Sequence, residues 1–149
     1  MDSTEIPINE FRELVELVSE NMSSLFGEPM PNFEHRRAHI LESCLAQPFQ
    51  SFEGDLYPTV FNKAAAHLYF IIKNHPFVNG NKRCAMIAMM LYLVRNDRMI
   101  NIGPVKLYET AVMIAHSSAS DRESIIAHVS ELIEANSISR DAWMKENRA

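Results

Sequence analysis

His75, Asn79, Gly80, Asn81, Lys82 and Arg83 fall in one short stretch, His-Pro-Phe-Val-Asn-Gly-Asn-Lys-Arg. His75 is the side chain there suited to moving a proton near neutral pH. Gly80 lets the backbone approach a ligand closely or take a positive φ. Asn81, Lys82 and Arg83 add side-chain donors and two formal charges. Directly after them, Cys84 to Val94 carries no charge at all, the pattern of a buried helix. Amides at a helix N-terminus have no intrahelical partners, and the helix dipole makes that end partly positive. Cations placed there are unfavourable unless an anion sits among them. The chemistry these residues fit is the holding of phosphate, a nucleotide phosphate above all. His75 would then accept a proton from an attacking hydroxyl. A turn with solvated charges, with His75 capping the preceding helix, is the plainer reading of the same residues.

The elements that must position this stretch follow from hydrophobic spacing. Phe11, Leu14, Val15, Val18 and Met22 fall on one face of a helix that Asn9 would cap. Gly27, Pro29 and Pro31 break the chain. A second helix is expected from about Phe33 to Ala46. Pro48 to Asp55 mixes aromatics, glycine and turn formers, and reads as a short extended hairpin or flap. Pro58 suits the first turn of a mostly buried helix running to about Lys73. His75 precedes a proline, which disfavours helical geometry, so the histidine is expected at a helix exit. The next helix, from about Asn81 to Asn96, is apolar on all faces and should be the central one. Further helices are expected from Val105 to His116 and from Ser120, with Glu123 completing a capping box, to Ala135. The polar tail has room for one short helix more. The spacing therefore predicts a single all-α domain, residues 1–149, of six or seven helices.

The 149 residues are enough to bury a core, and 47% hydrophobic with 22% charged is ordinary for a globular protein. A formal net charge of −5 offers no overall basic field for nucleic acid. The apolar run after Arg83 is too short to span a bilayer, so no membrane partner is expected. Cys44 and Cys84 lack metal or redox spacing and read as buried thiols of a cytoplasmic protein. His35 and His39 have a helical metal-ligand spacing but no third ligand, so they read as structural or surface histidines. Phe77 reads as an anchor for the loop, and Met86, Met89 and Met90 as core.

The stretch His75 to Arg83 resembles the signature of the Fic/Doc superfamily, which runs HxFx(D/E)GN, then glycine or lysine, then arginine. Lysine at Lys82 resembles the Doc branch, toxins of toxin–antitoxin pairs. Leu41 to Pro48, Asp55 to Pro58 and Lys63 to Ala66 are similar to the family's segments before the motif, so the resemblance covers about residues 10–136. It implies transfer of a phosphate from ATP to a hydroxyl of a translation factor, elongation factor Tu in the Doc branch. Transfer of AMP, the Fic reaction, is the alternative it implies. His75 would be the general base, and Gly80, Asn81, Lys82 and Arg83 would hold the phosphates. Phe52, Glu53, Gly54, Asp55, Leu56 and Tyr57 would form a flap that docks the target. Where the family has a Mg²⁺-binding acid this chain has Asn79, whose neutral amide oxygen holds a hard cation more weakly. That substitution also admits a catalytically silent, Doc-like binding protein. Met86 stands where AMP-transferring relatives carry another arginine. The inhibitory pattern (S/T)xxxE(G/N) of many Fic proteins does not occur in the sequence. Control would then fall to an antitoxin protein acting in trans.

Overall fold

The structure, a computed structural model, describes residues 5–21 and 32–148. Among them are seven α-helices: α1 Ile8–Asn21, α2 Ala38–Ala46, α3 Val60–Asn74, α4 Asn81–Arg95, α5 Pro104–His116, α6 Arg122–Ala135 and α7 Arg140–Glu146. The expected all-α fold is what forms. The break expected at Gly27, Pro29 and Pro31, and the expected helix end at Met22, lie outside the described residues.

Several boundaries move for local reasons. The Pro7 carbonyl accepts from Phe11 N at 3.1 Å, so α1 starts ahead of Asn9, which falls inside its first turn. Phe33–His35 is a separate 3₁₀ turn, capped by the Asn32 side chain, and α2 begins only at Ala38. Pro58 stays outside α3. The cap is Thr59, whose hydroxyl accepts from Asn62 N while Asn62 Oδ1 accepts from Thr59 N. That is a reciprocal capping box. The box expected from Ser120 and Glu123 does not form. A 3₁₀ turn at Ala119–Asp121 delays α6 to Arg122, and Ser120 N donates to Ser118 Oγ instead.

The centre of the molecule is α3, rather than α4 as expected. From Lys63 to Ile72 every residue of α3 is buried. Ala64, Ala65 and Ala66 keep its surface low, which lets neighbours approach on several sides. It packs most extensively against α4 and α6, and also meets α2 and α5. The methionines Met86 and Met89 of α4 are core, as expected.

A small sheet was not foreseen from the sequence. β1, Arg98–Ile100, pairs antiparallel with β2, Ser137–Ser139, with Met99 opposite Ile138. The preceding helices end alike. Asn96 Nδ2 donates to Tyr92 O at the end of α4, and Asn136 Nδ2 donates to Leu132 O at the end of α6. Each amide closes its helix and turns the chain into a strand, and strands this brief leave no alternation to read.

Candidate active site

A cleft of about 240 Å³ lies between the end of α3, the start of α4 and the end of α5. Its lining is Ile72, His75, Val78, Asn79, Gly80, Asn81, Lys82 and Ala115. Most of the residues singled out for chemistry are thus brought to one place.

His75 caps α3 in the left-handed conformation, φ 50° and ψ 62°, with its N–H still donating to Ile71 O at 3.2 Å. The following proline disfavours the right-handed continuation, and the helix ends there. The side chain is exposed at the cleft, as expected for a group that must reach a substrate. Its ring Nδ1 lies 3.4 Å from Lys73 O, at the outer limit of a hydrogen bond. Gly80 takes φ 72° at the cap of α4, the positive φ that a glycine accepts without strain.

Asn81 has a role beyond the one expected. Its Oδ1 accepts from Phe77 N and its Nδ2 donates to Phe77 O, both at 2.9 Å. The buried amide therefore ties the loop back onto the first turn of α4. Phe77 is buried, 5.6 Å from the ring of Phe33, which in turn meets Phe11 of α1 at 6.0 Å. The loop is anchored through this aromatic row, as expected of Phe77.

The four residues expected to hold phosphates separate. Gly80, Asn81 and Lys82 line the cleft. Arg83 is only 3% exposed and is not among the lining residues. Among the described residues no lining side chain is acidic, and the amide end of α4 opens onto the cleft. The opposite wall is the end of α5, whose carbonyls would repel an anion. Lys73 Nζ covers them, donating to Ser117 O at 2.6 Å and towards Ala115 O at 3.5 Å. The field inside the cleft therefore suits an anion.

It does not suit a metal held by the protein. Asn79 contributes a neutral oxygen, and among the described residues no carboxylate lines the cleft beside it. Among the described residues no group of three metal-ligating side chains of the His, Cys, Asp and Glu type occurs. Mg²⁺ sites draw on one or two carboxylates besides substrate phosphates. The residues present do not fit the Mg²⁺ that the family resemblance implies.

The flap is a tight turn of hairpin type. Ser51 and Asp55 form one antiparallel bridge, Phe52 N donates to Gly54 O at 2.8 Å, and Leu56 N donates to Gln50 O at 3.0 Å. Glu53 and Gly54 form its tip with φ 55° and 123°. Phe52 is 78% exposed and Leu56 is exposed, as docking residues would be. Tyr57 is not: it is buried, with its ring against Phe70. None of the flap residues lines the His75 cleft. The root of the flap is fixed by Lys63, a buried α3 cation that donates to Tyr57 O and pairs with Asp55 at 3.3 Å. Neither Lys63 nor the end of α5 was legible from the motif.

The remaining candidates fall away. Burial pushes the Cys44 thiol up to about 11 and that of Cys84 higher still, so neither is a nucleophile. His35 and His39 sit on different elements and are exposed. No helix among the described residues is long and apolar enough to cross a membrane.

Comparison with known proteins bears on the family. The Toxin Doc of Mycolicibacterium smegmatis is 40% identical over 55 residues, which is 36% of this chain and 42% of that protein. The match thus spans about two fifths of the relative's length. No solved structure matches significantly. The family model described as Fic/DOC family matches residues 5–93, from α1 through the flap and α3 to the apolar body of α4. Every wall of the cleft except the end of α5 lies in that range, and the chain belongs to the Fic/DOC family.

Proposed function

We propose that the chain is a Doc-like toxin that transfers a phosphoryl group from ATP to a hydroxyl of a translation factor. The observation that carries this is the acid-free cleft, where exposed His75 faces the amide end of α4 and Lys82. The α4 amides at Gly80 to Lys82 would hold the phosphates, with Lys82 as the side-chain cation at the cleft. Arg83 would add charge from inside the helix start rather than contact. His75 would take the proton from the target hydroxyl as its oxygen bonds to the γ-phosphorus. The bond from that phosphorus to the bridging oxygen breaks, and ADP leaves with the electron pair. The flap, with Phe52 and Leu56 outermost, would align the target segment. No step is assigned to Mg²⁺, because the cleft brings no carboxylate for it.

Met86 favours phosphate over AMP transfer: it is buried and offers no donor where AMP-transferring relatives have an arginine. The named relative, a Doc toxin, supports the toxin reading, and a toxin of this kind would be neutralised by an antitoxin in trans. The test is incubation of the protein with cell extract and ATP labelled at either the γ or the α phosphorus. Transfer of γ label alone, abolished by His75→Ala, is the expected result. Transfer of α label would overturn phosphotransfer in favour of AMP transfer. No transfer from either would favour a silent binding protein.

A further inference from the structure

Arg37 sits 38 positions before His75 in the chain, yet its guanidinium Nη1 donates to the His75 carbonyl at 2.7 Å. Its backbone N–H donates to the Pro76 carbonyl, also at 2.7 Å. One residue thus grips two successive carbonyls of the loop that presents the histidine. The side chain is exposed and makes no ion pair among the described residues. Its hydrogen bond to His75 is the polar contact its side chain makes among the described residues. Nor is it needed by its own helix. Arg37 stands at the cap of α2, where it makes no side-chain capping bond.

The grip falls where the backbone needs it. His75 adopts φ 50° and ψ 62°, a left-handed conformation that costs a residue with a Cβ. Its N–H is satisfied within α3. Its carbonyl, turned away from the helix by that conformation, has the Arg37 guanidinium as its partner. A charge-assisted bond to that oxygen favours the left-handed state over the extended alternative a residue before proline prefers. The peptide orientation at His75 sets where the imidazole points, so the bond also selects the ring's approach to the cleft.

We infer that Arg37 is a positioning residue: its guanidinium holds the His75 peptide in the left-handed conformation that aims the imidazole into the phosphate cleft. The catalytic half of this inference rests on the proposed role of His75, whereas the conformational half does not.

The variants are Arg37→Ala and Arg37→Lys, both of which keep the backbone bond to Pro76. For the conformation, the His75 Cα chemical shift and the three-bond amide–Hα coupling are read by NMR on the full chain. Wild type and Arg37→Lys should report the left-handed conformer, and Arg37→Ala a mixture with the extended one. An unchanged His75 signal in Arg37→Ala would overturn the inference whatever the activity. For the chemistry, Arg37→Ala should lower kcat for γ-phosphate transfer about tenfold, leave the KM for ATP within about twofold, and leave the melting temperature nearly unchanged. Arg37→Lys should restore most of kcat. A loss carried by KM, or equal loss in both variants, would overturn the positioning role. If wild type and His75→Ala transfer equally, the proposed function fails while the NMR result still decides the conformational claim.

Discussion

Asn79 is the residue at which this chain departs from the acid of the Fic/Doc signature. It lines the cleft beside Gly80, in a lining without any carboxylate. Asn79→Asp would supply the carboxylate that a Mg²⁺ site draws on, so transfer at limiting Mg²⁺ should rise by about tenfold or more. Unchanged transfer by the variant across a Mg²⁺ titration would show that the cleft does not use the metal through this position. A second residue-scale outcome concerns His67, buried beneath the flap root. Its Nδ1 lies 2.7 Å from Lys63 O, so that nitrogen carries the proton and donates, while Nε2 has no partner. Burial lowers its pKa from 6.5 to about 4. The folded chain resists protonation that the unfolded chain accepts, so stability is complete above about pH 6.5 and falls as pH drops towards 4. The loss through this group is on the order of 3 kcal/mol. Denaturation midpoints measured across that window should flatten in His67→Asn, whose Nδ2 stands in for Nδ1 as donor to Lys63 O without titrating. An equally steep fall in the variant would assign the acid sensitivity to other groups.

At the scale of elements, most of the site could be read from spacing. Pro76 stops α3, Gly80 starts α4, and the uncharged run behind Arg83 declares a buried helix. What escaped is contact between segments far apart in sequence. Nothing in the spacing of Arg37 and His75, or of Lys63 and the flap, marks them as partners. Strands of three residues, β1 and β2, carry no alternation long enough to detect. Asn81 was legible only in part: an amide suited to a phosphate is equally suited to a backbone, and here it also ties the loop to Phe77. The flap gives the element-scale prediction. Lys63 binds its descending arm through Asp55 and Tyr57 O. Removing a buried cation leaves its partners unpaired, here the Tyr57 carbonyl and a half-exposed Asp55 carboxylate. Lys63→Met should therefore lower the melting temperature and free the flap. Hydrogen exchange at the Phe52 and Leu56 amides, which bond to Gly54 O and Gln50 O, should accelerate about tenfold. Exchange at the wild-type rate would show that the turn holds itself.

For the whole molecule, the arrangement is a buried α3 hub whose exit carries the candidate base and whose partner helix begins with an open amide end. The net charge of −5 makes the acid-free cleft a local exception to an acidic protein, a contrast that suits selective binding of a phosphate group rather than general attraction of polyanions. Binding of phosphates there is the claim on which proton transfer, label position and the catalytic half of the Arg37 role all depend. Titration of amide-labelled protein with a non-hydrolysable ATP analogue, followed by NMR, tests it most directly. The largest shifts should fall on Gly80, Asn81 and Lys82, saturate with the analogue, and shrink in Lys82→Met. Shifts centred instead on the clefts at His39 and Ser43 or at Tyr69 and Arg122, with the α4 amides unmoved, would contradict it.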